Sequence, residues 1–103
     1  MNIAKLWDSI TEWQDATFTK ATPLSCVNHL EEEVKELKEK TEQGVLDKEE
    51  VADCFMLLIG YCNKNKLSFN EVWDAVSDKF FINQHKRKWG EVNEKGYVKH
   101  VED

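Results

Sequence analysis

A single proline and four glycines in 103 residues leave few points at which helical structure would be interrupted. The three cysteines, Cys26, Cys54 and Cys62, are odd in number and lack framework spacing, which excludes a disulfide scaffold and fits a reducing cytoplasm. Cys54 and Cys62 fall within an apolar helical pattern, where free cysteine behaves as a small core residue. Positive charge is in deficit: the formal net charge is −6, and nucleic acid as the main partner is excluded because such binding rests on phosphate neutralisation. No apolar run approaches membrane-spanning length, and the opening Met-Asn-Ile-Ala-Lys-Leu-Trp-Asp has no signal-type hydrophobic stretch, so a soluble protein without membrane partners is expected. A glycine-rich phosphate loop is also missing, which excludes P-loop chemistry. Nothing alternates as a sheet would, and there is no internal repeat.

What is present reads as helix. Ile3, Leu6, Trp7, Ile10 and Trp13 recur at helical spacing, predicting a first helix over residues 3–16. After a connector, Thr22-Pro23 offers a capping hydroxyl and a proline in the first turn, and Val27, Leu30, Val34 and Leu37 carry a second helix to about Lys40. Gly44 marks a turn. Asp47 with Glu50 resembles a capping box opening a third helix, whose apolar face holds Val51, Cys54, Phe55, Leu58 and Cys62. Ser68-x-x-Glu71 opens a fourth, carrying Val72, Val76 and Phe80 and running to Trp89-Gly90. The tail from Glu91 is less regular, with Tyr97-Val98-x-x-Val101 packing back as a strand or short turn. The expected architecture is all-α: a bundle of about four helices in a single domain, 1–103. Four Trp, five Phe and two Tyr exceed what so short a chain buries alone, predicting a homodimer or homotetramer.

Two carboxylate pairs share one spacing, Glu33-x-x-Glu36 and Glu50-x-x-Asp53. Residues three apart lie on one side of a helix, so each pair presents two carboxylates to one place. Helical-wheel angles put Glu33 roughly 80° from the centre of the second helix's apolar stripe, with Glu36 further round and Glu32 nearly opposite. Acidic residues on helices are usually a solvated face. Like charges at this spacing, however, cost a few tenths of a kcal/mol per pair, and a short turn joins the two helices so that the pairs can converge. Four carboxylates that close resist ionisation without added positive charge, which a hard divalent cation such as Mg²⁺ supplies, commonly together with substrate phosphates.

Glu32-Glu33-x-x-Glu36 followed by Glu50-x-x-Asp53 resembles the signature of the all-α nucleoside triphosphate pyrophosphohydrolases, the MazG and dimeric dUTPase superfamily. The flanking Trp13-Gln14-x-x-Thr17-Phe18, Ala21-Thr22-Pro23-x-Ser25, His29-Leu30, Asn83-x-x-x-Arg87-x-Trp89 and Gly96-x-Val98-x-His100 are similar to the short MazG-like branch of dATP/dGTP diphosphohydrolases, which includes phage MazZ-like enzymes. The resemblance covers nearly the whole chain. It implies Mg²⁺, with Mn²⁺ as a substitute, held by Glu33, Glu36, Glu50 and Asp53, with Glu32 a further ligand or neighbour. It implies attack of water at the α-phosphorus of a purine deoxynucleoside triphosphate, dGTP or dATP, releasing pyrophosphate and a monophosphate. A phage-encoded member would act in the host cytoplasm.

Within that resemblance, Lys79, Asn83 and Arg87 are candidates for the triphosphate, because they extend the apolar stripe of the fourth helix with cationic and amide groups. A basic helix end favoured by the helix dipole explains the same residues without a ligand. Trp13, Gln14 and Phe18 are candidates for the nucleobase, by stacking and edge contacts. His29 reads as a structural histidine, and Cys26-x-x-His29 lacks the second pair a zinc site needs. The competing class is a non-catalytic helical interaction module; a third possibility is the same chemistry on a pyrimidine or modified nucleotide.

Overall fold

The computed structural model describes residues 2–101; Met1, Glu102 and Asp103 of the expected domain lie outside the described residues. The order is α1 (Ile3–Thr17), α2 (Pro23–Glu42), α3 (Lys48–Lys64), α4 (Phe69–His85), then strands β1 (Lys88–Val92) and β2 (Val98–Val101). The four expected helices are present, and the less regular tail forms a small antiparallel hairpin, with β2 on the segment expected to pack back as a strand or short turn. The chain forms two compact units, the first ending at Asn70 and the second beginning at Glu71.

In the first unit local sequence sets each helix end. Asn2 caps α1, its Oδ1 accepting from the Lys5 amide at 2.8 Å. Thr22 and Ser25 cap α2 reciprocally: the Ser25 amide donates to Thr22 Oγ1 at 3.1 Å and the Thr22 amide to Ser25 Oγ at 2.8 Å. The other end of α2 closes on Gly44 at φ 75, with Val45 N bonded to Lys40 O at 2.9 Å and Gly44 N to Thr41 O at 3.0 Å. That reversal needs a left-handed residue, and glycine adopts it without steric cost. Asp47 Oδ1 caps α3, accepting from the amides of Glu49 and Glu50 at 3.0 and 3.1 Å. The reciprocal half of the expected capping box is not made; the Glu50 carboxyl turns instead toward α2, with Oε2 3.8 Å from Lys40 Nζ. At the end of α3, Lys66 takes the left-handed position at φ 64, and Leu67 N bonds back to Cys62 O at 3.0 Å.

Helices α2 and α3 run antiparallel. Lys40, near the end of α2, pairs with Asp47 at the start of α3, while Cys26, near the start of α2, lies beside Gly60 toward the end of α3. Helix α1 joins α3 through Gln14, whose Nε2 donates to the Met56 carbonyl at 2.9 Å, and Asp15, which accepts from Asn63 Nδ2 at 2.9 Å and Lys64 Nζ at 3.2 Å. All three helices meet at Gly60: a Cβ there would stand in ordinary contact, 3.4 Å from Gln14 Nε2 and 3.6 Å from Cys26 Sγ. Trp7 is buried, with the ring of Phe69 edge-on at 5.8 Å. Much of the apolar stripe predicted from sequence is nevertheless exposed, including Val27, Val34, Phe55 and Leu58.

In the second unit α4 ends at His85, short of the expected Trp89. The amides of Lys86 and Arg87 both bond to Ile82 O, at 2.9 and 3.1 Å, and the second, spanning five residues, closes the helix. Trp89 Nε1 then donates to the Asn83 carbonyl at 2.8 Å, tying the start of β1 to the helix it leaves. Strands β1 and β2 pair Lys88 with Val101, Trp89 with His100 and Val92 with Val98, and the extra residue on β1 is a bulge. The turn is held by Asn93, whose Oδ1 accepts from the amides of Lys95 and Tyr97 at 3.0 and 3.1 Å, and by Gly96 at φ 90.

Candidate active site

The antiparallel α2–α3 pair brings Glu33, from the middle of α2, against Glu50 and Asp53, from the first turns of α3. One carboxylate oxygen from each lies within 4.8 Å of the others. Glu50 is buried at 6% exposure, and its Oε1 has no hydrogen-bond partner among the described residues. Glu33 is half-buried and Asp53 exposed, so the cluster has a closed side and an open one. Glu36 is exposed and outside this tight group, although its carboxyl reaches that of Glu50. Glu32 is exposed, as its wheel position opposite the apolar stripe requires.

The electrostatics are those of crowded anions. Hydrogen bonding to the Glu33 carboxyl and burial push the Glu50 carboxyl above its ordinary value, with Glu36 and Lys40 acting the other way. Lys40 sits at the edge of the cluster, held mainly by Asp47; that pair raises the lysine and lowers the aspartate. Cys54, one turn beyond Glu50, has its thiol pushed up by burial and by the charges of Glu50, Glu33 and Asp53. His29 Nε2 stands 3.2 Å from Glu33 Oε1, one helical turn away, and orients that carboxylate. A buried, unpartnered carboxylate oxygen beside two further carboxylates, with like-charge repulsion to relieve, fits a hard divalent cation.

Glu33 and Asp53 also border a cavity of ≈ 440 Å³ whose other walls include Trp13, Gln14, Phe18, Met56 and Gly60. Trp13 and Phe18 meet edge to face at 5.3 Å, and both are about half exposed. Gln14 is buried at 8% exposure. The three residues expected at a nucleobase therefore share one cavity with two of the carboxylates. Of the residues expected at phosphates, Lys79 is exposed on α4, and Asn83 is half-buried with Oδ1 lacking a partner among the described residues. Arg87 lies beyond the helix end instead of on its stripe, with Nη1 3.4 Å from His100 Nδ1. These three belong to the second unit.

Sequence reasoning missed Lys40 and Gly60. Lys40 is separated from Glu50 by a turn, and nothing in periodicity predicts that contact. Gly60 did carry a signal, being an isolated glycine inside an apolar helical pattern, which points to a packing or functional reason.

An all-α fold with a carboxylate cluster beside an aromatic-walled cavity defines the class. The family model of dATP/dGTP pyrophosphohydrolase matches residues 6–103, and the chain belongs to that family. It is a nucleoside triphosphate pyrophosphohydrolase. The solved structure of the cyanophage S-2L MazG-like pyrophosphohydrolase, bound to dGDP and three catalytic Mn²⁺ ions per active site, is similar in fold, with a TM-score of 0.80 at 24% identity, covering 100% of this chain and 96% of that one. No curated protein matches the sequence.

Proposed function

We propose that the chain, acting as one domain over 1–103, hydrolyses dGTP or dATP to the monophosphate and pyrophosphate with Mg²⁺, for which Mn²⁺ substitutes. The observation that carries this reading is the single cavity bordered by Glu33 and Asp53 and by Trp13, Gln14 and Phe18. Carboxylates suited to a cation and aromatic faces suited to a base lie within the reach of one nucleotide.

Glu33, Glu50 and Asp53 would hold the cation, with Glu36 completing the set and Glu32 beside it. A divalent cation there supplies neutralisation of charge on the phosphate oxygens and lowers the pKa of a water it binds. The chain's own residues do the rest. His29 holds Glu33 in place, Lys40 steadies Glu50 at the closed end, and the Trp13 and Phe18 rings offer stacking surface to the base. Lys79, Asn83 and Arg87 are retained as triphosphate ligands on their donor chemistry.

Self-association belongs to the same proposal. Phe55 is 63% exposed on α3 and Phe80 65% on α4, among other large apolar side chains, and a second copy of this chain is the occupant that accounts for them. A homodimer or homotetramer is the expected state, and light scattering at micromolar concentration measures it. The three free thiols fit a cytoplasmic setting, that of the host if the chain is phage-encoded. No helix among the described residues is long and apolar enough to cross a membrane.

The test is incubation of dGTP, dATP and the pyrimidine triphosphates with Mg²⁺, followed by chromatography of the products. Purine monophosphate with pyrophosphate is the expected result. Orthophosphate release, a pyrimidine preference or no consumption of any triphosphate overturns the proposal.

A further inference from the structure

Gln14 combines three features that a side chain used only for packing would not need. It is more than nine-tenths buried, it lines the cavity, and its Oε1 has no hydrogen-bond partner among the described residues. Its orientation is determined by chemistry. Nε2 donates to the Met56 carbonyl at 2.9 Å, and a carbonyl oxygen only accepts, so turning the amide over would set two oxygens against each other. Gly60 borders the same amide, at a distance where a Cβ would stand 3.4 Å from Nε2 and 3.5 Å from Oε1. The amide is pinned on one side by a helix carbonyl, and it offers an acceptor with no donor among the described residues.

Resting on the reading that this cavity receives the base, we propose that Gln14 Oε1 is a fixed acceptor that selects for an N–H donor on the base edge. Adenine offers its 6-amino group, and guanine its N1–H or 2-amino group. An amide free to rotate would take donors and acceptors alike; one pinned at Met56 takes donors only. Both amino-bearing purines pass this filter, and a purine carrying no N–H does not, because it leaves a buried oxygen unpaired. Stacking on Trp13 and Phe18 is indifferent to base identity, since every base has a π-face. The rings would then supply affinity and Gln14 the choice.

The experiment compares kcat/KM for dATP, dGTP and the triphosphate of purine 2′-deoxyriboside, which has neither exocyclic amine nor ring N–H, in the wild-type chain and in Gln14→Met. The wild type is expected to prefer dATP over the unsubstituted purine by about tenfold to a hundredfold. In Gln14→Met that ratio should fall to near one. Taking the ratio within one protein cancels any loss of folded material. A wild-type ratio near one, or a ratio unchanged by Gln14→Met, overturns the inference. Calorimetric binding of the corresponding monophosphates separates the two readings. Selection without turnover keeps the acceptor and removes the enzymatic proposal, whereas turnover without selection does the reverse.

Discussion

Along the α1–α3 contact the charged group has met partners: Asp15 accepts from both Asn63 and Lys64. Along the α2–α3 contact Glu33 and Glu50 press on one another, and Glu50 Oε1 is buried with no donor among the described residues. One helix, α3, takes part in both. The first contact lowers the pKa of its carboxyl and the second raises it, so one stabilises the ionised chain while the other opposes it. The difference marks where the fold holds itself together and where it carries electrostatic strain. Lys40, held by Asp47, limits that strain at the edge of the carboxylate cluster.

The largest expected effect breaks the strained side. Glu50→Gln should lower activity by at least about 100-fold, measured as pyrophosphate release, because on the proposed reading it removes a cation ligand. The same substitution should raise the melting temperature without added metal, since the buried like charge is gone. It should also abolish the upward shift expected when Mg²⁺ is added to the wild type, which at about 100 times the dissociation constant corresponds to roughly 2.7 kcal/mol. Full activity in Glu50→Gln would dismiss the carboxylate cluster as the site.

A smaller effect is expected on the satisfied side. Hydrogen bonds from Asn63 and Lys64 hold the Asp15 carboxyl below its ordinary value. A lowered folded pKa gives stability that is present above the unfolded pKa and is lost as pH falls through the folded one. Asp15→Asn should therefore melt below the wild type at neutral pH, and the two melting curves should converge in acid. Thermal melts across that range test it, and a gap that persists at low pH would mean that Asp15 acts through shape and not charge.

The smallest effect tests whether α3 is strained at its end as well. Lys66 sits at φ 64, where a side chain costs energy and glycine does not. Lys66→Gly should gain about 1 kcal/mol or less, offset in part by the extra freedom of glycine in the unfolded chain. Chemical denaturation measures it, and a loss of stability would show that Lys66 makes contacts that outweigh its backbone conformation.

Much of this was legible beforehand, for physical reasons. The helix starts at Thr22 and Asp47 and the reversal at Gly44 are local events written in adjacent residues, and each occurs where the sequence predicts it. The end of α4 was not legible. Residues 86–89 continue a plausible helical pattern, and the helix stops because Trp89 bonds to Asn83 and β1 pairs with β2, contacts that periodicity does not encode. Arg87 left the predicted stripe for that reason. The strand β1 is exposed throughout and includes Gly90, so no alternation announced it.

The sequence alone determined the all-α class, the family signature and the pairing of carboxylates by spacing, because a helical repeat fixes which residues share a side. Only the tertiary structure decided which carboxylates meet. Glu33, Glu50 and Asp53 cluster tightly while Glu36 stays exposed and Glu32 faces away, since the antiparallel packing of α2 on α3 sets distances across the contact. The orientation of the Gln14 amide was likewise decided there. The Met56 carbonyl, forty-two residues away, holds Nε2 and leaves Oε1 as the amide atom without a partner among the described residues.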